Sequence, residues 1–210
     1  MPATLASAPP EHSARDRLLD AAAELFATRG FQAISLRDLA SRLGLHAGSL
    51  YHHIENKQSL LFELIESALS DLLLDTTRRL KGARNPGERL NRFIQSFVTF
   101  HFNERDRLVL MTREFASLNE EQRVQIVQLK NRYAAVLSAI VSDLRGEKSQ
   151  PGDDQCPITR AVIVVLFGQS QWYCLETAET QLVQSLKNVV MGIVGYNKTT
   201  EAAAVLQRVL

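Results

Sequence analysis

A glycine break inside a short amphipathic stretch is the feature that most limits what this chain can become. From Ser35 to Lys57 the sequence reads SLRDLASRLGLHAGSLYHHIENK, two brief helical patterns parted at Gly44. Ala40, Gly44 and Leu50 have the spacing of a helix-turn-helix. Alanine lets two helices approach, glycine takes the left-handed turn, and leucine locks the second helix down. That second helix exposes Gly48, Ser49, Tyr51 and His52, small or hydrogen-bonding groups suited to phosphates and base edges. The pattern predicts an element that binds double-stranded DNA.

Charge restricts how it would do so. The net charge is only +1 over 210 residues. Between Glu11 and Leu60 the cations Arg15, Arg17, Arg29, Arg37, Arg42 and Lys57 are matched by Glu11, Asp16, Asp20, Glu24, Asp38 and Glu55. A polybasic, sequence-blind binder is excluded, so a few placed groups or two copies acting together must supply the affinity. With 45% hydrophobic and 22% charged residues, the composition is that of an ordinary soluble globular chain. No apolar run approaches the roughly 18 residues of a membrane span. Residues 1–12 lack the pattern of a signal peptide and read as a disordered arm, which predicts a cytoplasmic protein without a membrane partner. Cys156 and Cys174 form neither a disulfide framework nor a metal-ligand pattern.

The periodicity is helical throughout. A first helix starts at Ser13, with Asp16 three residues on, and ends before Gly30. Ser35 and Asp38 cap a second, and a third spans about Ala47 to His53. Asn56 caps a long helix from Lys57 to about Leu74, with no flexible linker before it, so a push along this helix would reach the DNA-reading unit. Asn85-Pro86-Gly87-Glu88 starts another. Asn103 restarts a helix of about 13 residues, and Asn119 with Gln122 opens one that runs to Gly146. Residues 146–155 are a loop. Pro157 opens an apolar helix to about Glu176, Thr177 or Thr180 caps the next, and Thr200 to Leu210 add a short terminal one. The expected fold is all-α: a disordered arm (1–12), a three-helix DNA-binding unit with a helix-turn-helix (13–55), and a helical bundle for ligand binding and dimerisation (56–210).

The tract GLHAGSLYHHIENKQSLL, with Leu39, Ala40, Gly44, Leu50, Tyr51, His53 and Lys57 in register, resembles the TetR family of transcriptional regulators. The specific motif covers about Arg15 to Leu64. The resemblance implies a homodimeric repressor that is released from a palindromic operator by a small-molecule effector. It implies that Ser35, Ser49, Tyr51 and Lys57 contact phosphates, while Ala47, Gly48, His52 and Arg37 face base edges. His46 stands where the family often has Ser or Thr, which alters the cap of the recognition helix, and Ile54 replaces a common Phe. Tyr51 could instead pack its ring against the first helix, and His53 supports the core or a phosphate. His52 and His53 are a poor chelate, since neighbours on a helix diverge by about 100°; neither a metal nor a cofactor is expected.

The second half carries no nucleotide loop, zinc motif or nucleophile elbow, and an enzyme is not expected. It carries aromatic and polar residues at helical spacing: Phe93, Phe97, Phe100 and His101, then Met111, Glu114 and Phe115, then Tyr133, then Phe167, Gln169, Trp172 and Tyr173. A plain bundle core explains each singly; as a set they also fit the wall of a ligand cavity. The apolar residues of the last two helices wrap too widely for one buried face. Val162, Val165, Leu182, Leu186, Val189, Val190 and Ile193 are therefore candidates for a two-fold, four-helix interface. The tract TREFASLNEEQRVQIVQLKNRYAAVL resembles family members that respond to acyl-CoA thioesters, although a solvated charged helix face explains its charges equally well.

Overall fold

A computed structural model describes residues 13–50, 54–146, 156–172 and 178–195. These form helices α1 (Ala14–Arg29), α2 (Leu36–Leu43), α3 (Ala47–Leu50), α4 (Lys57–Leu80), α5 (Pro86–Asn103), α6 (Arg105–Arg113), α7 (Glu120–Arg145), α8 (Pro157–Trp172) and α9 (Glu179–Val194), with a 3₁₀ turn at Phe115–Ser117 between α6 and α7. No strand occurs among the described residues.

Side chains next to each start fix most of these helices. Ser13 and Asp16, Ser35 and Asp38, Asn56 and Ser59, and Asn119 and Gln122 each form a reciprocal capping box. Such a cap is worth about 1 kcal/mol, because it satisfies amide donors that no helical carbonyl can reach. Asn85 caps α5 with Pro86 in its first turn. At the helix-turn-helix break Gly44 is left-handed, with φ 68° and ψ 25°. Its amide donates to the Ser41 carbonyl, and that of Leu45 reaches the Ala40 carbonyl at 2.9 Å. A Cβ would be strained in that conformation.

Three boundaries differ from the pattern reading. Helix α4 runs six residues past Leu74. The apolar period breaks at Asp75-Thr76-Thr77, yet Thr76 is fully buried and donates to Ser96 Oγ of α5 at 3.0 Å. A polar pair thus continues the packing where hydrophobicity stops. Asn103 caps nothing: it is the last residue of α5, and α6 follows after Glu104 with no side-chain cap. Helix α9 starts at Glu179 behind Ala178, which makes no side-chain bond. Its first turn is anchored from α5 instead, where Gln95 Nε2 and Thr99 Oγ1 donate to Glu179 at 3.1 and 3.0 Å. The arm at 1–12, the end of the recognition helix and the expected terminal helix lie outside the described residues.

Helix α4 is the spine. At 1.5 Å per residue it is about 36 Å long. Leu60, Leu61, Leu64, Ile65, Ala68, Leu69 and Leu72 are all buried along it, and it packs against α1, α5, α6 and α7. Buried residues from Leu18 to Val194 form one continuous core cluster. The helix-turn-helix is thus welded to the bundle through α4 and through α1, which packs on α6.

Candidate functional site

At the DNA-reading end, Leu39, Ala40 and Leu50 are buried and hold α2 against α3, while Phe26 and Phe31 meet edge to face at 5.3 Å beneath them. Ser35, Arg37, His46 and Gly48 are exposed and Ser49 is half-buried. Ala47 is the first residue of α3. No described atom lies within 4 Å of where a Cβ on Gly48 would sit. Nothing described within the chain therefore demands glycine there. Tyr51, His52 and His53 lie outside the described residues.

Lys57 has a more enclosed position than a free phosphate-binding lysine. Its Nζ stands 4.2 Å from the Phe31 ring centre and 3.5 Å from the Gln32 carbonyl, to which it donates. Partial burial lowers its pKa, and Glu114 and Asp38 offset part of that effect.

Glu114 belongs to a short bridge between the two halves. It lies at the junction of α6 and the 3₁₀ turn, and one of its oxygens accepts from the Phe31 amide at 3.2 Å. The other accepts from Ser117 Oγ at 2.8 Å. From the start of α4, Gln58 Nε2 donates to the Ser117 carbonyl and to Gln122 Oε1, each at 2.9 Å. The turn at Phe115–Ser117 is thereby tied both to the loop after α1 and to the head of α4.

On the other side of that turn a cleft of about 920 Å³ opens between α4, α6, α7 and α8. Leu69, Met111, Ile163, Val164 and Phe167 give it apolar walls, and Thr112, Lys130, Asn131, Tyr133, Thr159 and Arg160 bring polar groups to it. Three of the sequence candidates, Met111, Tyr133 and Phe167, line it. Phe93 and Phe97 are fully buried behind the wall: Phe93 packs on Tyr133 at 4.9 Å, and Phe97 on Phe167 at 5.0 Å. Phe115 touches the site indirectly, through the Lys130 ammonium 4.0 Å from its ring centre. Phe100 and His101 are buried on α5 and are not part of the lining. Gln169 and Trp172 fall in the last turn of α8, and Tyr173 lies beyond the described residues.

The polar lining is where the sequence reading fell short. Lys130 and Tyr133 are three apart on α7 and share a face, a spacing that could have paired them. The tract was instead equally well explained as solvated. Thr159 is fully buried, and its hydroxyl has no hydrogen-bond partner among the described residues, while the Tyr133 phenol is buried with the Thr76 hydroxyl beside it. Burial raises the Tyr133 phenol well above its ordinary pKa, with a small opposing effect from the Thr76 hydroxyl nearby.

The seven interface candidates separate into two stripes. Val162, Leu182, Leu186 and Val190 are buried inside the chain and fasten α8 and α9 to the bundle. Val189 is 49% exposed, Val165 and Ile193 are half-buried, and Val164, not among the candidates, is 68% exposed. The wide apolar wrap serves an inner face and an outer one.

Comparison with known proteins matches both halves. A family model described as bacterial regulatory proteins, tetR family, takes in residues 18–64, and one described as tetracyclin repressor-like, C-terminal domain, takes in residues 83–176. The chain belongs to the TetR family. Over 121 residues it is 32% identical to the HTH-type transcriptional repressor KstR2 of Mycolicibacterium smegmatis, a stretch that makes up 57% of this chain and 58% of that relative. This TetR-family chain thus spans less than two thirds of the relative's length in the match. The crystal structure of the TetR family transcriptional regulator PfmR from Thermus thermophilus superimposes with a TM-score of 0.73 at 28% identity, covering 83% of this chain and 97% of PfmR. AibR, solved in complex with isovaleryl coenzyme A and operator DNA, superimposes with a TM-score of 0.72 at 21% identity, covering 83% of this chain and 96% of AibR, a likeness of fold. Among the described residues no helix is long and apolar enough to cross a membrane.

Proposed function

We propose that the protein is a cytoplasmic, homodimeric transcriptional repressor that binds a palindromic operator and is released from it by a small-molecule effector. The match of both halves to one regulator family, on a fold that places an open cleft one turn away from the helix-turn-helix, carries this reading. Residues 13–55 read DNA; residues 56–210 bind the effector and pair the two copies. Ser35, Ser49, Tyr51 and Lys57 contact phosphates, and Arg37, Ala47, Gly48 and His52 face base edges, with His46 and His53 beside them. The unhindered space around Gly48 favours close approach of a groove.

Pairing uses the outer stripe of α8 and α9, with Val165, Val189 and Ile193 at its centre. The inner stripe of Val162, Leu182, Leu186 and Val190 keeps those helices rigid behind it. Two recognition helices would then lie in successive major grooves. The effector is a hydrophobic metabolite, an acyl-CoA thioester among the candidates; the KstR2 and AibR resemblances support a regulator of this type. Met111, Tyr133 and Phe167 would touch the effector, with Phe93, Phe97, Phe100, His101 and Phe115 behind them and Gln169 and Trp172 at the end of α8; Tyr173 is a further candidate. Effector binding shifts the population towards an arrangement of α4 that no longer matches groove spacing.

The test is a protection assay on DNA flanking the gene, run with the purified protein. It should reveal a two-fold symmetric footprint. No preferred site, or a footprint the size of one half-site, would refute the reading. A bundle that served only to dimerise would be densely packed beside Tyr133, and the cleft there speaks against that alternative.

A further inference from the structure

The cleft has an imbalance of charge. Lys130 from α7 and Arg160 from α8 both line it, and no carboxylate among the described residues does. Arg160 is exposed, but Lys130 is half-buried. The Lys130 ammonium rests over the Phe115 ring and has no ion pair or hydrogen-bond acceptor among the described residues. Burial pushes its pKa down, as expected of a cation short of both water and counter-charge. The Thr159 hydroxyl, also on the lining, is a buried donor with no acceptor among the described residues, whereas the Tyr133 phenol has the Thr76 hydroxyl beside it. Native proteins rarely leave such groups bare. Here Lys130, Arg160 and Thr159 bring three donors to one space, and no acidic side chain among the described residues faces it with them.

We propose that this cleft binds an amphiphile with an anionic head, a carboxylate or a phosphate, which Lys130 and Arg160 receive while Met111, Ile163 and Phe167 cover its apolar body. The proposal rests on the reading of the cleft as an effector site. A neutral ligand of the same shape would desolvate Lys130 further and give nothing back, and a cationic one would add repulsion. A hydrogen-bonded charge in such a place contributes roughly a tenfold to a hundredfold gain in affinity.

Calorimetric titration of the full-length protein with decanoate, decanoyl-CoA, decanol and decyltrimethylammonium tests this. At least one of the two anions should bind about tenfold or more tightly than decanol, and the ammonium probe more weakly than either. Tight binding of decanoate assigns the head as a carboxylate; preference for the thioester alone assigns it as a phosphate. Lys130→Met should remove the anion's advantage and keep or raise decanol affinity, since the neutral ligand no longer desolvates an ammonium, while Lys130→Arg keeps the advantage. Should Lys130→Met fail to fold, Arg160→Met, at an exposed position, carries the same test with a smaller expected loss. Anions that bind no better than decanol, neither binding included, would overturn the proposal. So would a Lys130 or Arg160 variant that weakened decanol and anion alike. No operator DNA enters these titrations. A protein that bound the anions but no DNA would refute the repressor reading and leave this site standing; one that bound an operator but no anion would do the reverse.

Discussion

Lys57 and Lys130 stand on opposite sides of the same 3₁₀ turn, and each places its ammonium over a phenylalanine ring, at 4.2 and 4.0 Å. Both lose basicity to burial. They differ in what surrounds them. Lys57 donates to the Gln32 carbonyl and feels Glu114 and Asp38, whereas Lys130 has only its ring among the described residues. The contrast extends to their neighbourhoods: capping boxes and ion pairs knit the helix-turn-helix, while the cleft gathers donors without acceptors. Satisfied polar groups hold a shape. Unsatisfied ones lining an open space mark where an outside group completes the bonding.

The strongest way to break this contrast is to damage one side and read the other. Leu50 is fully buried and fixes α3. Leu50→Ala should cost about 2–5 kcal/mol in unfolding free energy, the usual range for a buried leucine truncated to alanine. Operator binding should disappear while decanoate or decanoyl-CoA binding in the cleft stays within about twofold, because the lining belongs to α4, α6, α7 and α8. Loss of both activities together would mean that the two regions do not differ in the way described.

Glu114 offers the next largest effect. Glu114→Ala removes a charged acceptor from the Phe31 amide and a tie to Ser117. About 1–3 kcal/mol should go, the cost of leaving a partly buried donor unpaired. The prediction concerns coupling: ligand affinity without DNA should be kept, but the factor by which ligand lowers operator affinity should shrink by about tenfold. An unchanged factor in an anisotropy titration would show that the signal bypasses the turn, along α4 alone.

These two residues also show what was legible in the sequence. Leu50 and the capping residues Ser13, Ser35, Asn56, Asn85 and Asn119 act on partners within a few positions, so local pattern reveals them. Glu114 acts on Phe31 across 83 residues, and Glu179 on Gln95 across 84. No window of sequence contains such pairs, which is why Asn103 and the threonines near α9 looked like caps and the real anchors did not appear. In the cleft, Met111 and Tyr133 were legible because apolar and aromatic residues at helical spacing predict a wall. Lys130 was not, because a lysine among charges reads as solvated until its neighbours in space are known. The outer and inner stripes of α8 and α9 raise the same difficulty: periodicity reports apolar width, and only packing divides it.

His101 sharpens the comparison from within the bundle. Both of its ring nitrogens are buried without partners among the described residues, although it does not line the cleft. Burial, helped by Arg105, holds its pKa below 6.5. As pH falls below about 6.5 the unfolded chain takes up a proton that the folded chain does not, so stability should decline by at most about 1.4 kcal/mol per pH unit. His101→Leu should flatten that slope in denaturant midpoints measured between about pH 6.5 and 5, the range in which an unperturbed imidazole titrates. A slope that survives the substitution would assign the acid sensitivity elsewhere and leave His101 inert.

The smallest effect is expected where the pairing looks best. Arg42 reaches both carboxylate oxygens of Glu24, at 3.0 and 3.1 Å, and so joins α2 to α1. Yet both side chains are about half exposed, at 55% and 47%. Water and salt screen such a pair, and ordering two long side chains consumes most of the gain. A double-mutant cycle on Arg42→Ala and Glu24→Ala should return a coupling below about 1 kcal/mol that fades towards zero in roughly 1 M salt. A coupling above about 2 kcal/mol, beyond the range of exposed pairs, would mean that the helix-turn-helix is held by its surface charges. The buried Leu39, Ala40 and Leu50 would then matter less than their packing implies, and the satisfied side of the molecule would owe its shape to electrostatics after all.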